Sequence, residues 1–539
     1  MTIDVNFFIE LFFHQLGLWW VIIPSIFLGL IVGGIPGFSA ANTIIVLLPF
    51  TFLMEVEVGL VFMIALYCSS RLGAGIPAIL VNIPGTAGAA ATPLDGYPMA
   101  KKGLGQRALS ISFVSSILGG LLTTVIALIT MPWLARVGFY MHSVEMVVVM
   151  LFGISLIASV ATKDTIKGLI AGFFGLMIGS IGADHVYATP RGTMGFLELY
   201  DGVPLIPALV GLFAISEAFM VIESGSFLSK DRVQQVQNAS WAETFYGAKI
   251  TLTRWFHVCW TSLIGLVIGV IPGAGAAIAS FVAYQQSRTF SKTPEAYGTG
   301  HVEGLIAPEA ANNGVTAGTL IPLMVLGIPG GATAAIMMVV MQYQGVPTGP
   351  GLFTERPDLG YGVFMAMFVT YLLMSFTILP MSRYMSRVTL VSTVYMSPII
   401  IAFTLVGSFV PREYMFDMYL AFGFGVLGFI ARKTGYHVAA ILIGVILGPL
   451  LEQYMLRALK MSGGDATVGA INADTTSNDA TDLAMTITAS ASAGDTSTVG
   501  AVDNEFGTVT INASGSGTVT MGALTAADAT IDASDVTGA

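Results

Sequence analysis

Long apolar runs separated by short polar stretches dominate the first 460 residues of the chain. An α-helix needs roughly 20 apolar residues to cross a bilayer, and twelve segments approach that length, although several are short or interrupted. They lie near 17–35, 58–81, 108–131, 143–161, 166–182, 204–222, 255–271, 314–328, 361–382, 390–410, 415–431 and 436–452. The pattern predicts an all-α polytopic membrane protein.

A short Ile-Pro-Gly motif interrupts these runs at four places. The segment 29–41, with the motif at 35–37, recurs as 265–277, and Ile83-Pro84-Gly85 recurs as Ile328-Pro329-Gly330. Proline has no amide hydrogen and glycine tolerates positive φ, so helices are expected to stop at the motif. The segments near 36–52, 84–98, 272–285 and 330–345 are therefore predicted to be half-helices or arms of re-entrant hairpins.

The distribution of basic residues predicts how the two copies are oriented. Loops 98–107, 162–167 and 223–254 are richer in Lys and Arg than loops 132–142 and 183–203, which places the first set in the cytoplasm. The loop after the second motif is basic in the first copy, whereas its counterpart has only Arg356. This asymmetry predicts two inverted repeats, at 1–223 and 255–460, joined by a cytoplasmic linker at 224–254. Nine extra residues in the second copy are expected in the polar stretch 287–304.

The composition changes abruptly after residue 460. The whole chain is 55% hydrophobic, 10% charged and has a net charge of −10, yet residues 461–539 contain ten acidic and no basic residues. This segment is predicted to be an acidic, low-complexity tail of short β strands or a small solenoid, or else disordered.

The four helix breaks predict the position of a binding site. Broken helices persist at bilayer depth where their free amides and carbonyls are buried in protein or line a cavity, and such groups suit an anion and its coupling cation. The alternative is that small residues and hydroxyls only pack the helices together. The candidate substrate-binding residues are Pro36, Gly37, Ser39, Asn42, Thr43, Asn82, Pro84, Gly85, Thr86, Pro272, Gly273, Asn312, Asn313, Pro329, Gly330 and Thr333.

A few charged residues have competing interpretations. Glu309, together with Thr316, is the candidate coupling-ion group, because an ionisable residue at membrane depth is by default functional. Its alternative role is to cap the start of a helix. Glu217 is interpreted as a snorkelling or paired residue, and Arg191 as the partner of Asp184 in a loop salt bridge rather than as a carboxylate-attracting group. No cofactor is expected, and no metal beyond a transported Na⁺.

Three stretches together resemble the large membrane subunit of the tripartite tricarboxylate transporters, the TctA family. They are Gly34-Ile35-Pro36-Gly37, the run 73–103, and 308–330 with Pro308-Glu309-Ala310-Ala311-Asn312-Asn313. The resemblance covers about residues 15 to 465, and the family's last membrane segment does not follow Asp465. It implies a multi-pass protein of the bacterial inner membrane that works with a small TctB-like membrane subunit and a TctC-like extracytoplasmic binding protein.

The resemblance and the breaks together predict a secondary carboxylate transporter rather than an enzyme. The resemblance implies uptake of carboxylates such as citrate, driven by Na⁺ or H⁺, while the breaks suggest a midplane site with alternating access between the halves. A stand-alone ion-coupled carrier needing no binding protein is the alternative. An intramembrane enzyme is less consistent, because no nucleophile with a base and no paired acids stand out at membrane depth.

Overall fold

The fold is described from a computed structural model of the chain. It covers residues 5–35, 40–139, 143–148, 150–151, 165–183, 189–224, 240–271, 274–349, 351–385, 393–461, 485–491, 496–499, 502–515, 518–521 and 524–536. The chain divides into two compact units, Met1–Leu456 and Arg457–Ala539. The first is helical, and the described residues of the second that follow the last helix form strands.

Helices of the first half run up to residue 224. They are α1 (Val5–Gly17), α2 (Trp19–Gly33), α3 (Ala40–Thr51), α4 (Val56–Gly73), α5 (Gly75–Val81), α6 (Pro93–Met99), α7 (Gly105–Phe139), α8 (Thr165–Gly179), α9 (Leu205–Val210) and α10 (Ser216–Ser224). A short hairpin of β1 (Gly182–Ala183) and β2 (Pro190–Arg191) lies between α8 and α9. One π-helical turn, Gly211–Ile215, joins α9 to α10.

Helices of the second half begin at residue 241. They are α11 (Trp241–Thr253), α12 (Trp255–Val270), α13 (Gly275–Thr289), α14 (Val302–Leu326), α15 (Ala332–Tyr343), α16 (Gly351–Glu355), α17 (Pro357–Met385), α18 (Thr393–Phe409), α19 (Met415–Lys433) and α20 (Val438–Met461). The most buried of them is α14, which is enclosed from Gly304 to Val325 and packs against α12, α7 and α13.

The described helices confirm a polytopic all-α membrane architecture. Six helical stretches are long and apolar enough to span a membrane, or eight if each of two bent helix pairs is one span. These eight coincide with predicted segments, whereas those near 166–182 and 390–410 hold shorter helices. Most of the segment near 143–161 lies outside the described residues. The segment near 314–328 is the second half of α14, which starts twelve residues earlier because its polar residues are buried rather than exposed in a loop.

Glycines at the same positions of the two motif copies bring helix pairs into close contact. A Cβ atom on Gly33 of α2 would lie 2.2 Å from the carbonyl oxygen of Ser70 in α4. The equivalent residue of the second half, Gly269 of α12, would place a Cβ 3.0 Å from the Val315 carbonyl oxygen of α14. Gly265, four residues earlier in α12, is closer still to α14, since its Cβ would lie 2.2 Å from the Ala311 carbonyl oxygen. Such small residues allow backbones to approach each other closely, as in other membrane helix pairs.

Replacing Gly265 with Ala is therefore expected to destabilise the protein. Overpacking at a tight contact costs about 1–3 kcal/mol, and here the obstructing atom is a backbone oxygen that cannot rotate away. The control is Gly423→Ala in α19, because a Cβ at Gly423 meets no atom within 4 Å. That change should be neutral or favourable by up to about 1 kcal/mol, since alanine is the better helix former. Thermal unfolding in detergent should separate the two variants, and equal melting temperatures would contradict the expectation.

Helices end at the Ile-Pro-Gly motifs. The second motif of each copy follows a residue with left-handed backbone conformation, Asn82 (φ 58°) after α5 and Gly327 (φ 71°) after α14. The predicted half-helices near 36–52, 272–285 and 330–345 correspond to α3, α13 and α15. The one predicted near 84–98 is wrong as a single helix, because it consists of a short 3-10 turn at Ala87–Ala89 followed by α6. Pro93 starts α6 and has no amide hydrogen with which to extend a preceding helix.

The segment predicted as a linker, 224–254, includes a helix. Residues 225–239 lie outside the described residues, but α11 occupies Trp241–Thr253 and packs against the start of α7. Arg107 donates to Glu243 at 2.6 Å, and the Ser110 hydroxyl donates to the Thr244 carbonyl at 2.6 Å. Polar residues that indicate a loop in the sequence are here the contacts that hold α11 in place.

A buried carboxylate joins the first half of the chain to the second. Asp95 in α6 accepts hydrogen bonds from the backbone amides of Gly298, Gly300 and His301 at 2.9, 2.8 and 2.6 Å. Its second oxygen accepts from the Tyr284 hydroxyl at 3.0 Å. Asp95 is fully buried and thereby fixes the loop between α13 and α14, which is much longer than the loop between α3 and α4.

The second unit contains parallel strands. They are β3 (Met485–Ala491), β4 (Thr496–Val499), β5 (Val502–Gly515), β6 (Thr518–Met521) and β7 (Leu524–Val536). One sheet has the order β3-β5-β7 and the other pairs β4 with β6, so successive strands alternate between two sheets. Parallel strands that alternate between two sheets are typical of a small β-solenoid. The described strands therefore agree with the prediction of short β strands or a small solenoid in the tail.

Candidate functional site

A cavity of about 560 Å³ lies where the broken helices of both halves end. Its wall includes the start of α3, the loop 84–88 after α5, the start of α13 and the start of α15. Residues next to all four Ile-Pro-Gly breaks therefore line the same cavity. Residues of the α9–α10 region, α19 and the start of α20 complete the wall.

Arg71 in α4 is the most buried of the described charged residues in this wall. Its Nη1 donates to the backbone oxygen and to Oδ1 of Asn312, at 3.1 and 3.3 Å, and its Nη2 donates to the Tyr67 hydroxyl at 2.8 Å. Nε is buried and has no hydrogen-bond partner. Only 8% of Arg71 is exposed, and no carboxylate of the described residues pairs with it. Arg71 therefore brings an uncompensated positive charge to the cavity.

A second arginine in the wall is already paired. Arg432 at the end of α19 contacts Glu217 of α10, with 2.8 Å between Nη1 and Oε2, and its Nε donates to the Ser216 hydroxyl at 3.1 Å. His437 lies beyond Arg432 in the same wall. Desolvation, and in addition the nearby Arg432, lowers the pKa of the His437 imidazole, so this side chain is neutral near pH 7. The described residues of the cavity wall therefore carry one net positive charge.

Fourteen of the sixteen predicted binding residues fall into four groups. Pro84, Gly85, Thr86 and Thr333 line the cavity. Asn42, Thr43, Pro329 and Gly330 are buried next to it without lining it, whereas Asn82 is exposed at the end of α5. Pro36, Gly37, Ser39, Pro272 and Gly273 lie outside the described residues.

The polar residues Asn312, Asn313 and Thr316 of α14 face neighbouring helices rather than the open cavity. Asn313 accepts from the Tyr371 hydroxyl at 3.4 Å, and Thr316 shares a hydrogen bond of 2.9 Å with the same hydroxyl. Asn312 contacts the cavity through Arg71. The structure therefore brings Asn312 to the site indirectly and places Asn313 and Thr316 in the contact between α14 and α17.

Glu309 occupies a separate, fully buried site among hydroxyl groups. Thr92 donates to its Oε1 at 2.5 Å and Ser116 donates to its Oε2 at 2.8 Å. Glu309 lies seven residues inside α14, so its alternative role as a helix-start cap is wrong. Its carboxylate and the Thr316 hydroxyl have different partners, and the structure does not combine them into one ion site.

Arg71 is the main site residue that the sequence interpretation omitted. A sequence signal was present, because Arg71 is a basic residue inside the apolar segment 58–81, and charged residues inside membrane segments mark functional sites. The wall residues Tyr67, Thr319 and Arg432 gave no comparable signal. Their role depends on helices that are distant in sequence.

The structure also shows the partners of Arg191 and Glu217, two charged residues predicted to be paired. Arg191 forms a bidentate pair with Glu452, at 2.7 and 2.8 Å, while its expected partner Asp184 lies outside the described residues. Glu217 is paired, as expected, although its partner Arg432 also places it in the cavity wall.

Comparison with known proteins identifies the family. A profile described as "Tripartite tricarboxylate transporter TctA family" matches residues 18–443. The chain belongs to the TctA family. This family consists of tricarboxylate transporter membrane subunits, so the cavity of this TctA protein lies in a transporter rather than in a member of an enzyme family.

Two relatives of this TctA protein come from Agrobacterium vitis. An uncharacterized 52.8 kDa protein in the TAR-I ttuC' 3' region is 32% identical over 451 residues, which is 83% of this chain and 88% of the relative. An uncharacterized protein in the TAR-II ttuC' 3' region is 35% identical over 208 residues, which is 39% of this chain and 86% of the relative. No solved structure matches the chain.

Proposed function

We propose that this protein is the membrane subunit of an ion-coupled secondary transporter that imports tricarboxylates or related carboxylates such as citrate. In this proposal a TctC-like extracytoplasmic binding protein delivers the substrate to a bacterial inner-membrane complex that also contains a TctB-like small subunit. The supporting observation is Arg71, a buried guanidinium in the wall of a cavity between the helix breaks, without a carboxylate partner among the described residues.

The charge of Arg71 favours an anionic substrate. A buried charge without a counterion is costly, and its neighbours Asn312 and Tyr67 supply only dipoles. A carboxylate that reaches Arg71 neutralises this charge and can form charge-assisted hydrogen bonds with the guanidinium. The starts of α13 and α15 also line the cavity, and their free amides add favourable dipoles for an anion.

Transport requires coupling to a gradient and access from both sides. We retain Na⁺ or H⁺ as the coupling ion, with Glu309 and Thr316 as the candidate groups from the sequence. Alternating access would involve movement of helices on opposite sides of the cavity, with the two copies of the motif, proposed to be inverted, supplying the opposing breaks.

The proposed function can be tested by reconstitution. The full chain would be placed in liposomes with its small subunit, and uptake of labelled citrate would be measured with and without the purified binding protein. Gradients of Na⁺ and H⁺ would be imposed separately. Uptake that requires both the binding protein and a gradient is expected. Uptake by the chain alone would instead identify a stand-alone carrier, and absence of carboxylate uptake in every condition would contradict the proposal.

A further inference from the structure

Arg432, the second arginine in the cavity wall, pairs with a carboxylate of the protein itself, that of Glu217. Arg432 and Glu217 lie on α19 and α10, their charged atoms are 2.8 Å apart, and both side chains line the cavity that contains Arg71. Their side chains are 25% and 18% exposed, so substrate in the cavity can reach them. A guanidinium has five N–H donors, and the contacts with Glu217 and Ser216 occupy two of them.

The charges in the cavity wall determine how many substrate carboxylates the wall can neutralise. Arg71 and Arg432 are positive, Glu217 is negative, and the net charge is therefore positive by one. A substrate with one carboxylate makes the cavity neutral. A substrate that presents two carboxylates leaves a net negative charge unless Glu217 takes up a proton. Because uncompensated charge in a poorly hydrated cavity is costly, the neutral arrangement is strongly favoured.

We propose that Glu217 is a proton-coupling group that competes with the second carboxylate of a dicarboxylate for Arg432. This inference rests on the proposed function, adds the class of substrate, and assigns the coupled proton to Glu217 in place of Glu309, the candidate group from the sequence. When the dicarboxylate binds, one carboxylate contacts Arg71 and the other replaces Glu217 at Arg432.

The proton balance of this exchange is simple. A proton from the aqueous phase binds the Glu217 carboxylate as the Glu217–Arg432 ion pair separates, and no covalent bond of the substrate changes. When the substrate leaves on the other side, Glu217 releases the proton to water and pairs again with Arg432. One dicarboxylate and one proton therefore move in the same direction.

Few other ionisable groups face Glu217. Arg432 contacts it from α19, and His437, Tyr436 and Arg71 line the same cavity. The helix α3, which packs against the π-helical turn before α10, contains no ionisable residue, and α18, which packs against α10 itself, has none among its described side chains. Further along the same pair of helices, Glu223 and Lys433 form a second, more exposed ion pair that does not line the cavity. This pair provides a matched control.

Fumarate and monomethyl fumarate test the inference because a neutral methyl ester replaces the second ionised carboxylate in the monoester. Their dissociation constants would be measured by calorimetry for the purified full chain in lipid nanodiscs, from about pH 6 to about pH 8. Uptake of one proton predicts that fumarate binding weakens about tenfold per pH unit, whereas monomethyl fumarate binding is unaffected by pH. Direct measurement with a pH indicator should show one proton taken up per fumarate by the wild-type protein.

Glu217→Gln should remove the pH dependence of fumarate binding and keep its affinity near the wild-type value at low pH, because glutamine imitates the protonated acid. Glu223→Gln should keep the wild-type pH dependence. The inference is overturned if wild-type protein does not bind fumarate, if fumarate binding takes up no proton, if Glu217→Gln keeps the pH dependence, or if Glu309→Gln alone removes it. If Arg71→Gln binds neither fumarate nor monomethyl fumarate, the carboxylate site of the proposed function is supported even where the inference about Glu217 is overturned. The two proposals can therefore fail separately.

Discussion

Replacing Arg71 with Gln is expected to weaken carboxylate binding and reduce uptake by at least about 100-fold. A buried charge contact to a ligand carboxylate is worth about 3 kcal/mol or more, and each 1.4 kcal/mol corresponds to a factor of ten in affinity. Glutamine keeps much of the side-chain length but supplies no charge. Uptake of labelled citrate by the reconstituted transporter and direct calorimetric binding would measure the loss.

The control for Arg71 is another arginine with a known, separate contact. Arg356 pairs with Asp358 at 2.9 Å, and both side chains are about half exposed, away from the cavity wall. Arg356→Gln should leave citrate binding within about twofold of the wild-type value, because exposed ion pairs contribute little. Arg71→Lys keeps the charge and should be intermediate. If Arg71→Gln binds citrate as wild-type protein does, Arg71 is not the carboxylate site.

Replacing Asp95 with Ala is expected to destabilise the protein by roughly 3 kcal/mol or more, and to reduce the amount of folded protein in the membrane. The change leaves three backbone amides of the loop between α13 and α14 without their acceptor, and each buried unsatisfied donor costs about 1–3 kcal/mol. Thermal unfolding in detergent would measure the loss.

Asp358 is the matched control for Asp95. Its carboxylate contacts Arg356 at an exposed position, so Asp358→Ala should change stability by less than about 1 kcal/mol. Limited proteolysis adds a local readout, because the loop 290–301 should be cleaved faster in Asp95→Ala than in wild-type protein. An Asp95→Ala variant with wild-type melting and wild-type cleavage would show that other contacts hold this loop.

The helix breaks could be predicted from sequence because their cause is local. Proline removes a donor and glycine accepts a left-handed backbone wherever they occur, so the ends of α2, α5, α12 and α14 follow from the motif itself. The same reasoning did not predict the break inside the segment 84–98. There Pro93 starts a new helix after the 3-10 turn, although the neighbouring apolar residues alone would favour one continuous helix.

The arrangement of the site could be predicted only in part. Thr86 and Thr333 line the cavity because they follow breaks, and the breaks meet. Which side of α14 faces the cavity depends on its packing against three helices, and a helix buried on all sides has no polar face to indicate its orientation. For the same reason Asn313 and Thr316 could not be distinguished from Asn312 by pattern alone. The pairing of Arg432 with Glu217 joins residues 215 positions apart and has no local signature.

Alanine and glycine supply thirteen of the 27 described residues that line the cavity. The alanine side chains among them contribute little volume to the packing of the scaffold, and several close contacts between helices, such as those at Gly33, Gly265 and Asp95, lie outside the cavity wall. A mutation that lengthens one cavity alanine would therefore change the shape available to a ligand while most of the stabilising contacts stay in place. In evolutionary terms, substrate preference and structural integrity are assigned to different positions, so relatives with this scaffold can diverge in the anions they accept without first acquiring compensating changes in the fold.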